Sequence, residues 1–248
     1  MGEGKGKGCD LKSALHYVEC RAHSTFRIPN LKMSRQFARK LAREYVDRGD
    51  PLGWFEALYA EGDVSKIPWA DQKVNPNFEE WLVQEKIQGN GKKALKIGCG
   101  LGDDAERLAG LGFDVTAFDI SPAAIGWCKR RFPGSKVRYL VHDLFNPPPD
   151  WKGAFDFVLE SYTLQVLPPD LRGRAIHCIS DFVAPGGTLL LIARGRKPEE
   201  PKGEMPWPLI REELNEFTAH GLRELVFEEY LDKEDPPVRR FRAEYRRS

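Results

Sequence analysis

The sequence predicts an α/β fold: a doubly wound, Rossmann-like sheet of seven strands, mostly parallel with one antiparallel strand, preceded by a helical lid segment. Three observations carry this. The apolar run Ala94–Ile97 stops at Gly98, Gly100 and Gly102; a helix-like segment from Asp103 to Leu111 then leads to a second apolar run, Val115–Phe118, that ends on Asp119. Strand, glycine turn, helix, strand and carboxylate make the first half of a nucleotide-binding sheet. Strands and helices keep alternating after Asp119, which implies a parallel sheet covered on both faces. The chain closes with two strand-like runs around Asp235-Pro236-Pro237, and a hairpin after five parallel strands leaves one strand antiparallel.

In chain order, residues 1–32 open on Gly-Lys repeats and show no clean period, so they are expected to be a poorly ordered, dispensable extension. Met33 opens a helical pattern over Ser34–Val46, with Phe37, Leu41 and Tyr45 at i, i+4 and i+8. Residues 33–93 form a helical and aromatic lid and substrate segment, in which Trp54, Phe55, Tyr59, Trp69, Phe78 and Trp81 crowd together. Such aromatics either pack the first helices onto the sheet or cover a ligand. Ile67-Pro68-Trp69-Ala70-Asp71 is a proline-bounded loop, and Phe78–Ile87 reads as a helix.

The core spans 94–248. Its first strands are Ala94–Gly98 and Asp114–Asp119. Ser121 caps and Pro122 opens a helix that runs to Phe132. A third strand, Lys136–His142, ends at Asp143, and the prolines at 147–149 exclude regular structure. A fourth strand, Phe155–Glu160, precedes a helix from Pro169 to Val183, closed by Pro185-Gly186-Gly187. Thr188–Ala193 is the fifth strand. Arg194–Pro208 is a loop around Trp207, Leu209–His220 a helix, and Glu224–Tyr230 and Arg239–Arg246 the closing strands.

A chain of 248 residues can bury one large α/β core. Lys and Arg number 38 against 37 Asp and Glu, a balance that argues against a dedicated nucleic-acid surface. No apolar run is long enough to span a bilayer, so no membrane partner is expected. Met1–Asp10 lacks the apolar core of a signal peptide. The five cysteines show no metal-type spacing and read as reduced thiols of a cytoplasmic protein, with no metal site.

The glycine spacing separates cofactor classes. Dinucleotide sites usually read G-x-G-x-x-G, with a helix N-terminus aimed at a pyrophosphate. Here the pattern is G-x-G-x-G followed by Asp103 and Asp104. Two carboxylates there would repel a pyrophosphate and tolerate a cation such as S-adenosylmethionine (SAM). Asp119, at the end of the second strand, is placed to accept from two ribose hydroxyls.

The glycine turn, Asp119, Asp143 and the Pro185-Gly186-Gly187 turn together resemble class I SAM-dependent methyltransferases over about residues 94–248. A narrower similarity lies upstream: Ile67-Pro68-Trp69-Ala70-Asp71 with Pro76 is similar to the thiopurine, thiol and halide methyltransferase group, in which a Pro-Trp-Asp loop closes over SAM. Ala70, between Trp69 and Asp71, departs from that pattern. The resemblance implies that Gly98, Gly100 and Gly102 line the methionine part of SAM and that Trp69 covers it. It puts Asp119 on the ribose, Ile120 on the adenine, and Asp143 on the adenine amino group with Leu144 beside it. Glu160, Ser161 and Tyr162 end the fourth strand, where the methyl group points, so Glu160 counts with both the cofactor and the catalytic candidates.

The reaction implied is in-line transfer to a small-molecule nucleophile, with a thiol or heterocyclic sulfur favoured and a phenolic oxygen or amine open. Trp54, Tyr59 and Trp207 are candidates for a water-poor acceptor pocket. Asp71, Glu160 and Tyr162 are candidates for taking a proton from a phenol or amine. The bland alternative is that Asp143 and Glu160 are ordinary solvated strand ends and Tyr162 part of the core.

One residue breaks the pattern. Two positions before the first glycine the family normally carries an acid, and this chain carries Lys96. A lone lysine between two covered faces is costly, so Lys96 is expected to point into the crevice. At roughly 4 Å and an effective dielectric of about 20, its charge is worth about 4 kcal/mol, against the sulfonium of SAM or in favour of its carboxylate. The competing reading is therefore a catalytically weakened SAM-binding or interaction protein on the same fold. A nicotinamide oxidoreductase is opposed by the glycine spacing and the acidic helix start.

Overall fold

Lys93–Ile97 form strand β1, buried at every position after the first. A strand covered on both faces belongs in the middle of its sheet. The computed structural model, which describes residue 1 and residues 27–63 and 67–248, places it there. The other strands are β2 (Asp114–Asp119), β3 (Arg138–Val141), β4 (Phe155–Ser161), β5 (Val183–Arg194), β6 (Leu222–Leu231) and β7 (Arg239–Arg247). They form one seven-stranded sheet in the order β3-β2-β1-β4-β5-β7-β6. Strands β1 to β5 pair in parallel, and β7 lies antiparallel to both β5 and β6. The order reverses at β1, between β2 and β4, which is the switch point where open α/β sheets bind ligands beyond the strand C-termini.

The helices are α1 (Arg27–Asp47), α2 (Gly53–Ala60), α3 (Pro76–Glu85), α4 (Asp103–Gly110), α5 (Pro122–Arg131), α6 (Pro169–Phe182) and α7 (Glu216–Ala219). Their starts follow local chemistry. Asn75 accepts from Asn77 N ahead of α3, and Ser121 accepts from Ala124 N ahead of α5, each with a proline in the first turn. Strand alternation divides the core. Leu95, Ile97, Val158, Leu189 and Leu191 pack with Ile176, Phe182 and Phe217 on one face; Ala94, Phe157, Leu159, Leu190 and Ile192 pack with Leu108, Phe78 and Trp81 on the other.

Four boundaries differ from the sequence reading. Helix α1 begins at Arg27, ahead of Ser34, so the expected extension 1–32 overlaps it; residues 2–26 lie outside the described residues. Helix α2 forms where only aromatic density was read. Strand β5 begins at Val183, because Val183 pairs with Phe155 and the sheet absorbs Pro185-Gly186-Gly187 through a register shift between Phe155 and Phe157. The helix expected over Leu209–His220 is instead a tight turn, Arg211–Asn215, followed by the short α7. Ion pairs hold that turn: Glu213 accepts from Arg172 at 2.7 Å and from Ile210 N at 2.8 Å, and Arg211 reaches Glu224 at 2.7 Å.

The segment 33–93 splits near residue 75. Helix α3 belongs to the sheet's core: Trp81 stacks on Phe157 with ring centroids 5.7 Å apart and donates from Nε1 to Glu244 Oε1 at 2.6 Å. Helices α1 and α2 build a third cluster, in which Trp54, Leu58, Tyr59 and Ile67 meet Leu101 of the glycine turn and Ala124 of α5. This cluster roofs the strand ends.

Candidate active site

The loop between β1 and α4 can exist only with glycine at its corners. Gly98 has φ +54° and Gly102 φ +93°, the left-handed region that side chains disfavour. A Cβ on Gly98 would sit 2.6 Å from Thr163 Oγ1, and one on Gly102 would sit 2.6 Å from the Tyr139 hydroxyl and 3.1 Å from Cys128 Sγ. The turn is thus packed from below and open toward the cavity above β1. Gly98 and Gly100 line that cavity, whereas Gly102 stands behind it as the residue that starts α4.

Asp119 faces the same space from the end of β2 and is 6 % exposed. Its Oδ2 accepts from Gly100 N at 2.9 Å and its Oδ1 from Ser121 N at 3.0 Å. Two backbone donors thereby lock the carboxylate against the glycine turn, and each oxygen keeps a lone pair for a ligand. Burial raises its pKa, while these two N–H groups and the Lys96 charge pull it back down. The two acids that open α4 have different fates. Asp103 is neutralised by Arg131, whose Nη1 and Nη2 each reach it at 2.7 Å. Asp104 accepts from Asn75 N at 2.8 Å and lines the cavity, its pKa raised by burial and lowered by Lys96.

Lys96 does point into the crevice. It is 3 % exposed and lines the cavity, and its Nζ donates to Ile97 O at 2.7 Å and Gly98 O at 3.4 Å. Its charge is felt by Asp104, Asp119 and Glu160, all of which it stabilises as anions. Two backbone carbonyls and the field of those acids answer the desolvation problem that a lone buried lysine poses.

The lid comes down on this constellation. Tyr59, 3 % exposed, lies against the loop, and its hydroxyl accepts from Trp69 Nε1 at 2.8 Å. Glu56, a residue no sequence motif singled out, fastens α2 to the start of α5: Oε2 accepts from Ser121 Oγ at 2.5 Å and from Ala123 N at 3.0 Å.

Several expected site residues line one cavity of about 1390 Å³, large enough for two small molecules side by side: Tyr59, Trp69, Asp71, Asp119, Ile120, Asp143, Leu144 and Tyr162. Others are placed elsewhere. Trp54 is 1 % exposed and stacked on Phe55 at 4.0 Å, inside the lid's own core. Trp207 packs against the outside of that core, with its backbone bonded to Gln165 O and to Arg172. Glu160, expected at both cofactor and proton transfer, is fully buried and does not line the cavity. Its Oε1 accepts from Thr163 N at 2.7 Å and Leu164 N at 2.8 Å, so it caps the turn after β4. Tyr162, at φ +68°, is held in the left-handed region with its hydroxyl accepting from Asn77 Nδ2 at 2.9 Å. Non-glycine residues in that region cluster at functional sites.

Glu160 yields a pH prediction. Burial pushes its carboxyl up to about 7 from an ordinary 4.5, and Oε2 has no hydrogen-bond partner among the described residues. Between those values the native state keeps a proton that the unfolded chain has released, so stability falls as pH rises through the window. From pH 5 to 7 this one group costs about 2 kcal/mol. Urea unfolding of wild type and Glu160→Gln should show the variant losing less stability over that interval by about this amount. Parallel losses in the two proteins would refute the assignment.

The residues fit SAM. Gly98 and Gly100 offer a floor free of side chains, Asp119 presents a fixed carboxylate beside it, and Asp104 adds negative charge suited to an ammonium or sulfonium group. Ile120, Asp143 and Leu144 continue the same wall past β2.

Comparison with known proteins agrees. The profile of the methyltransferase domain family matches residues 94–187. An uncharacterized methyltransferase of Synechocystis sp. is 32% identical over 174 residues, covering 70% of this chain and 76% of that protein. A ubiquinone biosynthesis O-methyltransferase of Erwinia tasmaniensis is 27% identical over 158 residues, covering 61% of this chain and 62% of that protein. The chain spans about half to three fifths of the length of the ubiquinone-biosynthesis relatives it matches. Among solved structures, the Burkholderia thailandensis 1,6-didemethyltoxoflavin-N1-methyltransferase, with bound 1,6-didemethyltoxoflavin and S-adenosylhomocysteine, shares the fold at a TM-score of 0.61 and 17% identity, over 87% of this chain and 90% of that one.

Proposed function

The chain belongs to the class I SAM-dependent methyltransferases, and from that premise we propose that it methylates a small-molecule nucleophile that ionises near neutral pH. A thiol or heterocyclic sulfur comes first and a phenolic oxygen second. The observation that carries this is the state of the acids. Asp119 is bonded to two backbone N–H groups, Asp104 to one, and Glu160, away from the cavity, to two. Carboxylates pinned in this way are poor candidates for swinging onto an acceptor as a general base. A thiol, with a pKa of about 8.5, needs little help. The phenolic reading draws on the O-methyltransferase relatives; for it, Asp71 is the proton acceptor that lines the cavity, since burial raises the Tyr162 pKa and keeps its hydroxyl protonated.

When bound, SAM supplies an electrophilic methyl group on sulfur. Gly98, Gly100, Asp119, Ile120, Asp143 and Leu144 would hold it, with Trp69 and Tyr59 above. The chain's own contribution is alignment and exclusion of water. Holding two reactants in attack geometry can be worth roughly 7–11 kcal/mol. The aromatic lid supplies the dry roof. The cysteines among the described residues, Cys99, Cys128 and Cys178, are free thiols, which supports the cytoplasmic setting we also propose. Among those residues no helix is long and apolar enough to cross a membrane.

A panel of thiols, phenols and amines, read by S-adenosylhomocysteine formation, tests the acceptor. Rates should rise with pH up to each acceptor's own pKa, thiols leading; turnover confined to amines would overturn the proposal. Lys96 gives an independent readout. Its charge should disfavour the sulfonium of SAM relative to the neutral sulfur of the product. Even at roughly 8 Å and an effective dielectric of about 20 the difference is about 2 kcal/mol. Calorimetry on Lys96→Met should therefore show the SAM-to-product affinity ratio rising about tenfold or more. An unchanged ratio would put the Lys96 charge out of reach of the reacting sulfur.

A further inference from the structure

Where α1 and the ends of β5, β6 and β7 wall the cavity, four cations, Arg35, Arg194, Lys233 and Arg240, face three carboxylates, Asp232, Glu234 and Asp235. Arg35 of α1, Arg194 at the end of β5 and Arg240 at the start of β7 converge on Glu234, in the turn between β6 and β7. Only Arg240 hydrogen-bonds it, from Nη2 at 2.5 Å; the other two guanidiniums stand 3.6 and 3.7 Å away. Arg240 also donates from Nε to Asp232 at 2.6 Å. Three guanidiniums thus share two carboxylates. Arg240 is 1 % exposed, its Nη1 has no acceptor among the described residues, and its guanidinium lies 4.9 Å from the Tyr162 ring centre. Burial and the neighbouring Arg240 charge lower the pKa of Arg194, with Glu234 opposing them.

Position adds a length. Arg194 pairs in register with Arg240, and β5 is separated from β1 only by β4. At about 4.8 Å per strand, Arg194 starts roughly 10 Å from the strand that carries the glycine turn. That is about the span of one substituted aromatic ring.

We propose that this wall is an anion subsite: the methyl acceptor carries a carboxylate about one aromatic ring from its nucleophilic atom, and that carboxylate takes the place of Glu234 between Arg194 and Arg240. The Arg194 guanidinium makes no hydrogen bond among the described residues and stands 3.7 Å from Glu234, and Arg240, the more deeply buried of the two, anchors the positive field. Glu234, exposed on its turn, occupies the position until an acceptor displaces it. This rests on the methyltransferase reading above and narrows its substrate class.

The test uses the protein saturated with S-adenosylhomocysteine, titrated with 4-mercaptophenylacetate and with its methyl ester. The acid should bind at least tenfold tighter than the ester. Arg194→Gln should bring that ratio close to one, and Glu234→Gln, which removes the internal competitor, should raise it several-fold. Equal binding of acid and ester to wild type overturns the subsite, as does an Arg194→Gln variant that weakens both alike or a Glu234→Gln variant that lowers the ratio. If S-adenosylhomocysteine binds and neither probe does, the subsite falls while the donor site stands. If S-adenosylhomocysteine itself fails to bind, the methyltransferase reading falls, and the subsite with it.

Discussion

Gly102→Val is expected to destabilise the fold by about 3–5 kcal/mol and to remove measurable donor binding. Two costs add. A β-branched residue forced to φ +93° carries about 1–3 kcal/mol of backbone strain. Its Cβ would also meet the Tyr139 hydroxyl at 2.6 Å, Cys128 Sγ at 3.1 Å and Phe132 at 3.2 Å, and overpacking of that kind typically costs 1–3 kcal/mol. None of these neighbours is free to leave. Cys128 is fully buried and its thiol donates to Gly100 O, and the Tyr139 hydroxyl bonds Glu106 at 2.7 Å. The loop itself would have to move, and Gly100 N would lose its register with Asp119. Against a total stability of roughly 5–15 kcal/mol the loss is large. Gly110→Ala is the control: that glycine ends the helix that Gly102 caps, with nothing within 4 Å of an added Cβ, and the change should be neutral or mildly stabilising. Urea midpoints for the two variants read the contrast; equal midpoints would mean the turn tolerates a side chain.

Asp119→Ala should lower affinity for S-adenosylhomocysteine by at least a hundredfold. The carboxylate accepts from both the glycine turn and the start of α5, through Gly100 N and Ser121 N. Leaving buried N–H groups without acceptors costs about 1–3 kcal/mol each, so the turn loosens even before ligand arrives. A hydrogen bond to a charged group is worth about 1.5–3 kcal/mol, and two to the ribose exceed the hundredfold expected. Asp119→Asn keeps one acceptor oxygen and should fall between wild type and alanine. Calorimetry reads the order directly. An alanine variant that binds as wild type does would remove Asp119 from the donor site.

The seven strands, their parallel run and the antiparallel β7 were legible because strand alternation, glycines and prolines are local signals. The glycine turn and Asp119 were legible for the same reason. Trp54 and Trp81 were not: an aromatic bound for a core and one bound for a pocket look alike until the packing partners, Phe55 and Phe157, are in place. Glu160 misled because a strand-end acid near a cofactor turn and a helix-turn cap differ only in which way the carboxylate rotates. The surplus charge at Arg194 and Arg240 was hidden because the third cation, Arg35, comes from α1 and the shared carboxylate, Glu234, from the distant β6–β7 turn. Glu56 has no motif at all; its role exists only once α2 lies against α5.

Crystals grown with S-adenosylhomocysteine decide where the donor sits. The expected result is density beside Gly98 and Gly100, the ribose hydroxyls on Asp119 and the adenine between Ile120 and Leu144. An empty cleft, or a ligand bound away from Asp119, would contradict it.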